Sequence, residues 1–174
     1  AFLHLMHDLL LKGVTPLVIL PHKGEICQIL QNMNIQYVIL SWPARPSTYP
    51  WVNTLIGSIL FIPRLVGRLL VNTLATLQSI KIIRQFAPDI IHSNSSTLAI
   101  GYYTARFLGV PHIWHIREYG DLDFNYHYYP TKKTQQRRYQ LHNSYTICIT
   151  KDIQQHNHLS KHDNSIVIYD GVLS

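Results

Sequence analysis

Two short segments of this chain gather side chains able to handle a polar ligand. One is Ser93-Asn94-Ser95-Ser96, three hydroxyls and an amide. The other is His115-Ile116-Arg117-Glu118. Hydroxyls and amides both donate and accept hydrogen bonds, and an imidazole exchanges its proton near neutral pH. A guanidinium forks onto phosphate or carboxylate. Each segment follows a short apolar run, Asp89–His92 and Pro111–His115, that reads as a buried strand. A helical pattern over Leu98–Leu108 separates them. In a parallel α/β sheet, ligands collect outside the carboxyl ends of the strands. Ser93, Asn94, Ser95, His115, Arg117 and Glu118 are therefore the candidate site residues. Two other uses stay open. Ser95 or Ser96 equally suits a cap on the next helix, and Arg117 and Glu118 suit pairing with each other to shape the loop.

The elements that must position these residues alternate along the whole chain. A helix over Ala1–Lys12 is closed by Gly13 and carries Phe2, Leu3, Met6, Leu9 and Leu10 on one face. Strands follow over Pro16–Leu20 and Ile35–Leu40, with a helix over Glu25–Asn32 between them. A proline-rich loop, Trp42–Pro50, leads into a long helical region, Trp51–Phe86, interrupted or kinked at Pro63. Beyond the candidate site, Gly120–Tyr129 reads as irregular and Lys132–Asn143 as helical. Tyr145–Ile149 and Ser165–Tyr169 read as strands around a helix at Asp152–Ser160. Unbroken apolar strands between helices predict an α/β, Rossmann-like parallel sheet with helices on both faces. The sequence opens inside a helix, whereas a doubly wound domain opens on a strand. The expectation is a sheet lacking its first central strand, with a gap between the Pro16 and Asp89 strands and two unpaired edges.

At 174 residues the chain is long enough for one such domain, residues 1–174, and 47% hydrophobic residues supply its core. A formal charge of +6, with Glu25 and Glu118 the only glutamates, favours anionic partners. The basic residues are scattered and no nucleic-acid signature accompanies them, which argues against nucleic acid. Cys27 and Cys148 sit in apolar surroundings and read as core thiols of a reducing compartment. His112 and His115 lie three apart on a strand, so they face opposite sides and share no metal. His158 and His162 share a helix face but lack a third ligand. No metal site is expected.

The order Leu11-Lys12-Gly13-Val14, PDIIHSNSS at 88–96, VPHIWHIRE at 110–118, ICIT at 147–150 and Tyr169-Asp170-Gly171-Val172 resembles family 4 glycosyltransferases of the GT-B type. The similarity is to their N-terminal, acceptor-binding domain and covers nearly the whole chain. Asp170 stands where that family usually has Asn. The resemblance implies a lobe whose hinge to a C-terminal, donor-binding lobe lies at about 169–174, and which is inactive alone. It also implies transfer of a sugar, hexosyl in type, from a nucleotide-diphosphate donor to a saccharide or lipid-linked saccharide acceptor, in bacterial surface polysaccharide synthesis. No cofactor is implied, and basic groups and helix N-termini neutralise the diphosphate. His115 becomes the catalytic candidate, touching the transferred sugar or the acceptor. Ser93, Asn94, Ser95, Arg117 and Glu118 become substrate-binding candidates.

A second region bears on function. Trp51–Leu74 is strongly apolar, carries Arg64 and Arg68, and has no acidic residue. Two charges and a proline argue against a spanning helix. A helix lying in the interface, with Trp51, Leu55 and Ile59 in lipid and Arg64 and Arg68 at the headgroups, suits an enzyme with a lipid-linked acceptor. Packing on the sheet is the competing use of the same apolar surface. The expected location is cytoplasmic, peripheral on the inner face of an anionic membrane. Two other functional classes stand beside the transferase: a nucleotide- or cofactor-binding Rossmann module, which would need a glycine-rich turn absent from this sequence, and a non-catalytic, membrane-associated binding domain.

Overall fold

The computed structural model describes residues 2–50, 55–123 and 126–170. Six helices and eight strands alternate along them. The first half contains α1 (Phe2–Leu11), β1 (Leu17–Leu20), α2 (Glu25–Asn32), β2 (Gln36–Ile39), β3 (Thr48–Pro50) and α3 (Leu55–Phe86). The second contains β4 (Ile91–Ser93), α4 (Ile100–Leu108), β5 (His112–Ile116), β6 (Tyr126–Tyr128), α5 (Lys132–Tyr139), β7 (Ser144–Cys148), α6 (Lys151–His156) and β8 (Ser165–Val167). Trp51, Gly171 and Val172, to which the sequence assigned membrane and hinge roles, lie outside the described residues.

Six of the eight strands form two parallel sheets. β1 pairs with β2, and β4, β5, β7 and β8 make a four-stranded sheet in that order. The expected gap is present: β1 meets β4 through Ile19, which packs beside Ile91 and Ile83, and among the described residues no ladder joins the two sheets. Two apolar clusters hold the halves. Met6, Val18, Leu30 and Ile35 join α1 and α2 to the small sheet. Tyr102, Trp114, Ile116, Tyr139, Cys148, Ile153 and Leu159 join α4, α5 and α6 to one face of the large one. Strand alternation sends His112, Trp114 and Ile116 into that core, and all three are buried. His92 and His115 therefore stand on the opposite face. Cys27 and Cys148 are free and buried, as their surroundings predicted, and burial pushes the Cys148 thiol up to about 11.

Several elements differ from the sequence reading. β3 and β6 pair antiparallel, Thr48 with Tyr128 and Pro50 with Tyr126, where a loop and an irregular stretch were expected. Three residues give too short an alternation to read, and the partners are remote in sequence. α3 runs unbroken through Pro63. The proline costs it the bond to the Ile59 carbonyl, a loss tolerated on one long helix whose neighbouring turns remain bonded. α5 stops at Tyr139, four residues short of the expected end, because Gln140 leaves the helical region and Asn143 takes a left-handed φ of +61°.

Candidate active site at the carboxyl edge of the large sheet

β4 and β5 run parallel, with Ser93 beside Trp114, so their carboxyl ends deliver 93–97 and 115–118 to one edge. Glu118 organises the first loop. Its Oε1 accepts the Ser95 hydroxyl at 2.7 Å, the Ser96 backbone N–H at 2.8 Å and the Ser96 hydroxyl at 2.9 Å. Ser95 Oγ also accepts the Thr97 N–H at 3.2 Å. These serines bend a loop; they do not cap the helix. α4 starts at Ile100 behind Ala99, with no side-chain cap.

Arg117 turns away from Glu118. Its Nη2 donates to Asp170 Oδ2 at 2.5 Å, and its Nη1 lies 3.5 Å from Asn94 Oδ1. The Arg–Glu pairing that the sequence left open is not made; each side chain has its own partners, and Asp170 joins β8's end to that of β5. This aspartate, which the sequence marked only as a departure from Asn, is a site residue that local reading missed.

His115 stacks on His92, with ring centroids 5.4 Å apart and planes at 16°. Both its ring nitrogens are buried, without a hydrogen-bond partner among the described residues. Burial first, then the Arg117 charge, lowers its pKa, while Asp170 and Glu118 pull the other way. Burial and His115 take His92 down to about 4. At neutral pH both rings are uncharged, so His115 offers one N–H donor and one acceptor nitrogen.

Ser93 departs from the group. Its hydroxyl bonds His112 Nε2 at 2.8 Å on the core side, and burial holds His112 down at about 3. Asn94, Ser95, His115, Arg117 and Glu118 come together; Ser93 supports them from behind. Below the loop, Asp121 accepts from Lys132 at 2.8 Å and from His156 at 2.7 Å, tying the chain after β5 to α5 and α6. Partial burial raises the Asp121 carboxyl, but those two bonds outweigh it and hold the pKa low. Among the described residues no group of three His, Cys, Asp or Glu side chains is placed to hold a metal ion.

On α3, Leu55, Ile59, Ile62, Val66 and Leu70 repeat at three- and four-residue steps, Leu77 follows two turns on, and all six are exposed. Arg68 does not flank that line. It donates to the Thr48 carbonyl at 3.0 Å and lies 4.3 Å from the Tyr49 ring centre. Arg64 is exposed. By length and composition the helix could also cross a membrane.

A parallel α/β domain of this topology is a Rossmann-like lobe, the architecture in which ligands collect at the carboxyl edge of the sheet. The model of Glycosyltransferase Family 4 matches residues 22–172, and the chain belongs to that family. No curated protein matches it in sequence. Among solved structures it is similar to MurG of Acinetobacter baumannii, with a TM-score of 0.55 and 13% identity. The match covers 99% of this chain and 41% of that one, so the chain spans less than half of the MurG chain. At that identity the likeness is one of fold.

Proposed function

We propose that this chain is the acceptor-binding lobe, residues 1–174 with a hinge at about 169–174, of an enzyme moving a hexosyl group from a nucleotide-diphosphate sugar to a saccharide. Family membership supports the reaction class. The observation that carries the site is the His115 imidazole, its two nitrogens buried and without a partner among the described residues, at the edge where Arg117 and Asp170 meet. In the transfer, the bond from the anomeric carbon to the diphosphate oxygen breaks, and a bond to the acceptor oxygen forms. The acceptor's proton departs, and the diphosphate carries away the bonding pair. A neutral imidazole suits hydrogen bonding to a sugar hydroxyl, orienting it for that exchange. Asn94 and Arg117 stand beside it to receive further hydroxyls or an acceptor phosphate. No cofactor enters this scheme, and the donor binds mainly a second lobe.

The apolar line on α3 supports a lipid-linked acceptor, as in surface polysaccharide synthesis, and peripheral attachment to the cytoplasmic face of an anionic membrane. Exposed Lys81 and Arg84 continue the same helix face towards its C-terminus, giving the anionic headgroups a basic partner.

Full-length enzyme carrying His115→Ala, assayed for sugar transfer from a panel of nucleotide sugars, tests the site. Turnover should fall at least about a hundredfold, in line with loss of a positioned catalytic contact, with the circular dichroism spectrum unchanged. Turnover like that of the unmodified enzyme removes His115 from the mechanism.

A further inference from the structure

A second cleft lies beside this edge. It is enclosed by α3, the 44–49 segment, the start of α4, and the 129–130 turn with α5. Arg45 and Arg138 line it, together with Tyr49, Tyr103, Tyr129 and Asn72, and among the described residues no carboxylate does. Its volume is about 190 Å³, below the ~300–1,000 Å³ of sites that enclose a whole drug-sized ligand. One sugar ring with a phosphate suits that volume; a complete nucleotide sugar does not.

The two arginines are held differently. Arg138 is half-buried and fixed: Nη2 donates to the Tyr103 hydroxyl at 2.6 Å and Nη1 to Gln135 Oε1 at 3.0 Å. Its remaining N–H groups have no hydrogen-bond partner among the described residues and are left for a ligand. Arg45 has a pinned backbone, its N–H bonding Asn72 Oδ1 at 2.7 Å and its carbonyl accepting from Asn72 Nδ2 at 3.1 Å, while the side chain is exposed. One preset fork and one exposed fork around aromatic faces form a receptor for an anion attached to a ring. Gln135 ties the cleft to the candidate active site, since its amide also donates to the Ser96 carbonyl at 3.2 Å, next to Glu118. Leu69, half-exposed on α3, lines the cleft's margin beside the apolar line.

We propose that this cleft binds a sugar phosphate, with Arg45 and Arg138 on the phosphate and the tyrosine rings against the sugar. The inference rests on the transferase reading for its biological meaning: the group held there is the phosphorylated end of the acceptor.

Calorimetry on the 174-residue chain with glucose 1-phosphate, glucose and inorganic phosphate tests it. Glucose 1-phosphate should bind more tightly than either fragment. Arg45→Gln, at a side chain with no hydrogen-bond partner among the described residues, should weaken it about tenfold, the loss of one charge-assisted contact. Arg138→Lys should weaken it too, while Lys133→Gln, elsewhere on α5, should leave it unchanged. Tighter binding of the dodecyl phosphodiester of glucose identifies a lipid headgroup as the source; equal binding identifies a free sugar phosphate. Inorganic phosphate binding as tightly as glucose 1-phosphate, or an Arg45→Gln chain that binds normally, overturns the cleft. Neither result touches the transferase reading, which fails instead if the full-length enzyme transfers no sugar while glucose 1-phosphate still binds through Arg45.

Discussion

Ser96 gives both of its donors to a single oxygen of Glu118, the backbone N–H at 2.8 Å and the hydroxyl at 2.9 Å. A carboxylate receiving such a clamp is a strut that sets the 93–97 loop against β5. Hydrogen bonds to charged groups contribute about 1.5–3 kcal/mol each. Glu118→Gln keeps an acceptor but loses the charge, and should cost about 1–2 kcal/mol. A lower urea midpoint with an unchanged m-value checks this; an unshifted midpoint denies the strut.

Acid should destabilise the fold from an unusually high pH. His92 and His112 are held near 4 and 3 when folded, and His115 is also lowered, against about 6.5 in an unfolded chain. Below pH 6.5 the unfolded chain takes up protons that the folded one refuses. Stability is fully present above that pH and falls towards pH 4 and then 3, by up to about 1.4 kcal/mol per pH unit for each histidine. His112→Asn should flatten the curve between pH 6.5 and 3, as followed by urea titrations across that range.

Gly101 sits where α4 presses on β4. A Cβ there would run into the Ser93 hydroxyl and lie 3.1 Å from His112 Nε2. Gly101→Ala should therefore break the Ser93–His112 bond and cost about 1–3 kcal/mol through overpacking. A melting temperature at or above that of the unmodified chain would show that α4 yields freely.

Asp121 bridges Lys132 and His156. Because its pKa is lowered, its contribution is present above the unfolded value near 3.9 and disappears as pH falls through the folded one. Asp121→Asn should speed amide exchange in the first turn of α5 while leaving β5 and β7 protected. Unchanged exchange at α5 would assign the tether to other contacts.

The alternation of apolar runs and helical patterns made most of the architecture legible, α2 to the residue, because buried parallel strands need no distant partner to be recognised. The β3–β6 ribbon was not legible: Tyr49 and His127 become neighbours only after the chain has folded around α3. The site divides likewise. His115, Arg117 and Glu118 announce themselves at a strand end, but their partners do not. Nothing local to Arg117 points to Asp170, fifty-three residues on, or joins Arg45 to Arg138.

The split between the two parallel sheets has a consequence for how the molecule comes apart. α1, β1, α2 and β2 share their own apolar cluster, and Ile19 is the side chain of theirs that packs into the cluster around Ile91. Without a shared ladder, opening this unit breaks few bonds in the other. Native-state hydrogen exchange should resolve two cooperative blocks: α1, β1, α2 and β2 releasing together, and β5 and β7 holding until global unfolding.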